Sequence, residues 1–220
     1  MDTSRQENCN FIPNEFQNLI RNKKLVLIGC GGIGSNLAHL LIRGGFNHLI
    51  IVDMDIVDNT NLQRQTFFEK DIGSLKTSAL KSQLKKINPN LNINEVKNCL
   101  SKDNIEEICS NSDLIIDATD NFETRKIISD FAIKNKIPWI YTGAIKAESV
   151  VCMFLEDKFN KIFHKNIENE KCCEVGVLAS TTSISASLAY NEILKYFSGE
   201  KNFKLIKYNV WNQKLFIIKI

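Results

Sequence analysis

The segment Leu25-Val-Leu-Ile-Gly-Cys-Gly-Gly-Ile-Gly-Ser35 restricts the fold more than any other part of the chain. An apolar run of strand character, Leu25 to Ile28, enters Gly29-x-Gly31-Gly32-x-Gly34, and apolar residues at Ile33, Leu37, Leu40 and Leu41 then recur with helical spacing. That order is strand, tight turn, helix. Gly29 and Gly31 allow the turn and let a phosphate come close to the backbone. Gly34 lets helix and strand pack closely, and the amino end of the helix offers N–H donors and a positive dipole. Further on, Leu49-Ile-Ile-Val-Asp53 reads as a second buried parallel strand ending in a carboxylate suited to gripping two ribose hydroxyls. Together these segments imply a nucleotide site.

The polar segment after Asp53 says more about what happens to the nucleotide. Dinucleotide recognition requires neither Arg64 nor Lys76, whereas cleavage of a triphosphate builds charge that guanidinium, ammonium and magnesium stabilise. A third element, Asp113-Leu-Ile-Ile-Asp117-Ala-Thr-Asp120-Asn121, is an apolar strand running into acids at its carboxyl end, the edge where open α/β sheets gather ligands.

At this point the residues resemble the MoeB/ThiF family, adenylating enzymes related to the ubiquitin-activating enzymes. The family's glycine loop, D-x-D, N-L-x-R-Q, following lysine and D-x-x-D-N occur in order as Gly29 to Ser35, Asp53 to Asp55, Asn61 to Gln65, Lys76, and Asp117 to Asn121. The resemblance implies that Asp53 holds the ATP ribose, that Arg64 and Lys76 contact the phosphates, and that Asp120 helps bind magnesium near the α-phosphate. It also puts Asp55, Asn61, Gln65 and Asn121 at the same site. Two plainer readings stand beside it: Lys76 as part of a solvated helix face, and Asp120 as the cap of a helix beginning near Phe122. Asp117 reads as structural. The pair Arg5-Gln6 lies where the family has an arginine that reaches the partner subunit's ATP, which implies a homodimer with Arg5 acting in trans, although Asp2 and Thr3 depart from the family's preceding residues.

On both sides of the Asp113 strand the pattern is that of a doubly wound α/β sheet. Helices are expected near Ser74 to Ile87, Asn104 to Ser110 and Phe122 to Asn135, and strands near Leu91 to Val96 and Ile137 to Tyr141, with an extended run from Ser149 to Leu155. A polar crossover loop over 156–175 leads into a long helix from Val177 to Phe197, and strands around Phe203 to Val210 and Lys214 to Ile218 read as antiparallel additions to a Rossmann-like, mainly parallel sheet. The expected organisation is a single adenylation domain over 1–220 with an amino-terminal arm over 1–24.

The loop motif Cys172-Cys173-Glu174-Val175-Gly176-Val177 resembles the family's C-x-E/D-x-G-V. Cys172 occupies the position that in several relatives bonds covalently to the carrier, with Cys173 as the competing thiol. The paired C-x-x-C motifs of zinc-holding relatives are missing, so no structural zinc is expected. Cys30 reads as packing, Cys99 and Cys109 as partly buried. His39, His48 and His164 lack ligand spacing.

A net charge of +3 from 28 basic and 25 acidic residues does not point to a nucleic-acid partner. No apolar run approaches the roughly 20 residues that span a bilayer, and no leader is evident, so a cytoplasmic protein with free thiols is expected. The resemblance then implies ATP-dependent adenylation of the carboxyl-terminal glycine of a small ubiquitin-like or sulfur-carrier protein, with a separate sulfur donor or conjugating protein downstream. Alternative readings are a tRNA threonylcarbamoyladenosine dehydratase-like enzyme, a non-catalytic subunit of a heterodimer, and an NAD-dependent oxidoreductase. The last leaves Arg64, Lys76 and Asp120 without a role.

Overall fold

The computed structural model describes residues 2–156, 159–163 and 175–220. Eight strands form one sheet in the order β3-β2-β1-β4-β5-β6-β7-β8. The strands are β1 (Lys24–Ile28), β2 (His48–Val52), β3 (Asn92–Val96), β4 (Leu114–Asp117), β5 (Trp139–Ile145), β6 (Glu148–Phe154), β7 (Lys204–Asn209) and β8 (Lys214–Lys219). β3, β2, β1, β4 and β5 run parallel, and β6, β7 and β8 add antiparallel. The expected mainly parallel, Rossmann-like sheet with antiparallel carboxyl-terminal strands is therefore what forms.

The apolar runs become strands because both faces of the sheet are covered. Leu25 and Leu27 of β1 enter one core with Leu49, Ile51, Leu114 and Ile116, whereas Val26 and Ile28 enter the other with Val52, Ile115 and Trp139. The first core lies under helices α3 (Gly32–Arg43), α4 (Lys76–Ile87) and α8 (Ala179–Phe197). The second lies under α5 (Ile105–Cys109), α6 (Phe122–Asn135) and the short α7 (Phe159–Ile162). Small buried residues on α8, among them Thr181, Thr182, Ser185, Ala186 and Ala189, give it one face that settles into the first core.

Two segments differ from the sequence expectation. The arm before β1 folds as α1 (Ser4–Glu7) and α2 (Phe16–Arg21), and it is packed down: Phe16 and Ile20 are buried, Gln6 Nε2 donates to the Gly44 carbonyl at 3.1 Å, and Tyr190 Oη donates to Gln6 Oε1 at 2.6 Å. The Ile137 strand also runs on to Ile145 and returns directly as β6, with Ile145 opposite Glu148. Lys146 in that turn has φ of 52° and no glycine or asparagine announces it. Its backbone is instead fastened to the entry of α8, where Lys146 N donates to Gly176 O at 2.9 Å and Leu178 N donates to Lys146 O at 3.1 Å.

β8 forms the outer edge, and Leu215, Phe216, Ile217 and Ile218 on it are exposed. Among the described residues, no helix is long and apolar enough to cross a membrane.

Candidate active site

The carboxyl ends of β1, β2 and β4 open onto a cavity of about 390 Å³, at the point where the strand order reverses between β1 and β4. The glycine turn forms its floor. Gly29 has φ of +93°, and a Cβ there would lie 2.6 Å from the Ala118 carbonyl oxygen, so the turn needs glycine both for conformation and for space. A Cβ on Gly34 would collide with the Gly29 carbonyl, which confirms close packing of α3 on the turn. Gly31 differs, because a Cβ there would meet only Gln65 Nε2 at 4.0 Å. Nothing in the protein crowds position 31; the open space belongs to the cavity. No side chain caps the amino end of α3, so its orphan N–H groups are left for an anion.

Asp53 stands at the end of β2 with its carboxylate already oriented. Cys30 N donates to Oδ2 at 2.6 Å and Asp55 N donates to Oδ1 at 2.8 Å. Each oxygen keeps acceptor capacity, as a carboxylate holding two ribose hydroxyls requires. Burial pushes this carboxyl above its ordinary value, opposed by those two N–H donors.

Lys76, at the start of α4, is only 7% exposed, and its Nζ lies 2.7 Å from Asp55 Oδ2. The solvated-face reading of Lys76 is thereby corrected: the helix enters with its first residue turned into the cavity. Arg64 follows the short turn Asn59–Asn61, where the Asn61 side chain accepts from Asp58 N at 3.2 Å. The Arg64 carbonyl accepts from Asn36 of α3 at 3.2 Å and from Thr182 of α8 at 3.4 Å, and its Nη1 donates to Thr60 O at 2.9 Å. Gln65 beside it carries a buried Oε1 with no partner among the described residues.

At the end of β4, Asp117 is fully buried. Burial pushes its carboxyl up, opposed by Arg125 and by two donors of Thr119, and the structural reading of Asp117 stands. Asp120 lines the cavity, exposed, and has no hydrogen-bond or ion-pair partner among the described residues. The helix cap belongs to its neighbour: Asn121 Oδ1 accepts from Thr124 N at 2.8 Å, which overturns the capping alternative for Asp120.

Gly29, Gly31, Gly32, Asp53, Asp55, Asn61, Arg64, Gln65, Lys76, Asp120 and Asn121 thus line one cavity. Gly34 supports it from beneath. Arg5 is exposed on α1 and does not line the cavity of its own chain. Cys172, Cys173 and His164 lie outside the described residues, as do residues 157–158 and 164–174 of the expected crossover loop, within which α7 forms instead of a continuous loop. The sequence reading missed Arg125, which lines the cavity from the first turn of α6. Its spacing of one helical turn from Asn121 was the available signal. Cys99 is also corrected: it follows β3 on the cavity wall and is exposed, with Sγ 3.0 Å from Met54 Sδ. Cys109 is fully rather than partly buried, and burial pushes its thiol up to about 12.

The donor set fits a nucleoside triphosphate with magnesium. Open space at Gly31, uncapped N–H groups, two cations and the orphan Gln65 amide suit the nucleotide, and Asp120 offers a hard oxygen ligand of the kind magnesium takes.

A "Probable molybdopterin-synthase adenylyltransferase" of Porphyra purpurea is 36% identical over 210 residues, 90% of this chain and 55% of that protein. The "Molybdopterin-synthase adenylyltransferase" of Haemophilus influenzae is 29% identical over 200 residues, 87% of this chain and 82% of its own. The chain thus spans little more than half the length of the Porphyra relative. E. coli MccB, solved with MccA-N7isoASN, superposes with a TM-score of 0.81 at 22% identity, over 93% of this chain and 66% of that one, and so shares the fold. The ThiF family model matches residues 3–220, nearly the whole chain and every element that builds the cavity, and the protein belongs to the ThiF family.

Proposed function

We propose that the protein uses ATP to adenylate the carboxyl-terminal glycine of a small ubiquitin-like or sulfur-carrier protein. The observation that carries this reading is the convergence on the cavity above the glycine turn of Lys76, Arg64 and Asp120, the last without a partner among the described residues. A redox enzyme holding an intact dinucleotide has no use for two cations and an acid there. The names of the Porphyra and Haemophilus relatives support the same chemistry.

In this mechanism the α3 amino end and the open space at Gly31 take phosphate oxygens, and Asp53 grips the ribose. A carrier carboxylate oxygen attacks the α-phosphorus. The bond to the bridging oxygen breaks, and pyrophosphate leaves with the electron pair. The attacking carboxylate is already ionised at neutral pH, so no side chain need take a proton. The chain's work is alignment and charge neutralisation, by Arg64 and Lys76 on the departing phosphates. Asp120 would hold magnesium, which when bound would supply further neutralisation of phosphate charge. Asp55 holds the Lys76 ammonium toward the cavity. The acyl group then passes to the sulfur of a donor or thiol, which bonds to the carbonyl carbon as the anhydride bond breaks and AMP leaves; Cys172 is the candidate nucleophile on this chain, with Cys173 beside it. We read 1–220 as one adenylation domain of a cytoplasmic homodimer, with Arg5 reaching the partner's nucleotide.

ATP–pyrophosphate exchange tests the activity directly. Exchange is expected with a carrier ending in Gly-Gly, is lost when that carrier lacks its terminal glycine, and is lost in Asp120→Ala. Absence of exchange with every carrier, despite measurable ATP binding, would turn the assignment toward a tRNA-modifying dehydratase or a non-catalytic subunit.

The trans assignment of Arg5 has its own test. Arg5→Ala and Asp120→Ala are each expected to be inactive, yet an equimolar mixture allowed to exchange subunits should recover roughly a quarter of the wild-type sites, because each mixed dimer contains one intact site. Zero recovery would place Arg5 outside the partner's site.

A further inference from the structure

We infer that Arg125, acting through Thr119, is a positioning residue that sets the carboxylate of Asp120 for magnesium; the inference rests on the reading of Asp120 as the metal-holding acid. Thr119 is restrained at three atoms. Its N and Oγ1 donate to Asp117 Oδ1, at 3.0 and 2.6 Å, and its carbonyl accepts from Arg125 Nη2 at 2.6 Å. The two charged side chains that do this are joined in turn, with Arg125 Nε 3.3 Å from Asp117 Oδ2. The guanidinium also lies over the Tyr141 ring, 4.9 Å from its centroid, which fixes its plane.

The rest of the segment is equally constrained. Asp117 O accepts from Thr142 Oγ1 at 2.7 Å, and Ala118 N donates to Ile28 O at 2.8 Å, tying the end of β4 to β5 and β1. Beyond it, Asn121 is committed to capping α6. Asp120 is therefore a single residue held between two anchored neighbours, with its own carboxylate left without a partner among the described residues.

A buried carboxylate–guanidinium pair is a weak source of stability, because desolvating both charges offsets their attraction. Here its geometry does something an apolar pair cannot. One fork of Arg125 spans the acid at the strand end and the carbonyl just before Asp120, so the direction in which Asp120 leaves the strand is set by an ion-pair contact and a short hydrogen bond from one planar group. A metal ligand whose support is loosened loses affinity even though the ligand itself remains.

The test measures ATP binding by calorimetry with and without magnesium, alongside melting curves, in wild type, Arg125→Lys, Thr119→Val and Asp120→Ala. Arg125→Lys keeps a cation beside Asp117 but cannot make both contacts. Thr119→Val removes the hydroxyl donor at nearly constant shape. Wild type should bind ATP more tightly with magnesium, and Asp120→Ala should lose that gain. Both positioning variants should melt cooperatively and lose more affinity for ATP with magnesium than without it, while the half-saturating magnesium concentration rises about tenfold or more in Arg125→Lys and less in Thr119→Val. The inference is overturned if the magnesium dependence is unchanged in both variants, or if ATP affinity falls equally with and without metal. If Arg125→Lys does not fold, Thr119→Val decides alone. Loss of magnesium coupling in the variants with no exchange in wild type would sink the adenylation reading and leave this inference standing; exchange in wild type with coupling untouched would do the reverse.

Discussion

Lys76→Met should lower carrier-dependent pyrophosphate exchange by roughly 10²–10³-fold, the range seen when one preorganised charge-stabilising donor is removed, while leaving the melting temperature unchanged or raised. The separation follows from where the lysine sits. The residue is 7% exposed, the first of α4, where the helix dipole disfavours a cation. Its ion-pair partner Asp55 is about half exposed, with a side-chain exposure of 55%, so the pair gains little from Coulomb attraction. Methionine keeps the straight apolar stem and removes the charge, so fold stability has little to lose. Activity has more to lose, since the proposed mechanism puts the charge of the departing phosphates beside this ammonium. Urea melts and exchange rates on the same preparations decide the matter. A variant that is strongly destabilised yet fully active would show that Lys76 is an element of the fold instead of the site.

The same contrast between fold and site explains what the sequence allowed one to read. β1, β2 and β4 were legible because strands covered on both faces are apolar continuously between their ends, and Leu25 to Ile28 divide strictly between the two cores. The motif residues were legible because their side-chain types and order are distinctive, and the fold brings them to one cavity. What escaped depends on contacts between distant segments. Lys146 adopts a left-handed turn that nothing local requires, and its conformation is held by Gly176 and Leu178 from the entry to α8. Arg64 was read as a charge, yet its backbone is placed by Asn36 and Thr182 from two different helices. Cys30 was read as packing, and its side chain is buried; its N–H, however, orients Asp53, a link between two motifs that side-chain identity does not encode. Arg125 belongs to the same class. Its position within a helix was visible in the sequence, but the strand end it clamps was not.

Gly34→Ala and Gly31→Ala should separate structure from binding within one glycine motif. At position 34 the new methyl would fall on the Gly29 carbonyl oxygen and within 3.3 Å of Ala118 Cβ, and the first of these is backbone of a turn that is itself constrained by φ of +93°. Neither partner can rotate away, so α3 must lift from the turn that forms the cavity floor. Overpacking of this kind costs typically 1–3 kcal/mol, and a backbone clash belongs at or above the top of that range. For a chain of this size, about 3 kcal/mol corresponds to a fall in melting temperature of roughly 6–12 °C. At position 31 the φ is −78° and a methyl meets nothing nearer than Gln65 Nε2 at 4.0 Å, so the protein should fold with stability within about 1 kcal/mol of wild type. The methyl would, however, occupy the space through which phosphate approaches the α3 amino end, and ATP affinity should fall about 100-fold or more, as expected when close backbone approach to an anion is blocked. Thermal melts and nucleotide titrations on the two variants test both halves. A Gly31→Ala protein that binds ATP normally would mean that the phosphates lie elsewhere in the cavity, and a Gly34→Ala protein of wild-type stability would mean that helix and turn can part without loss.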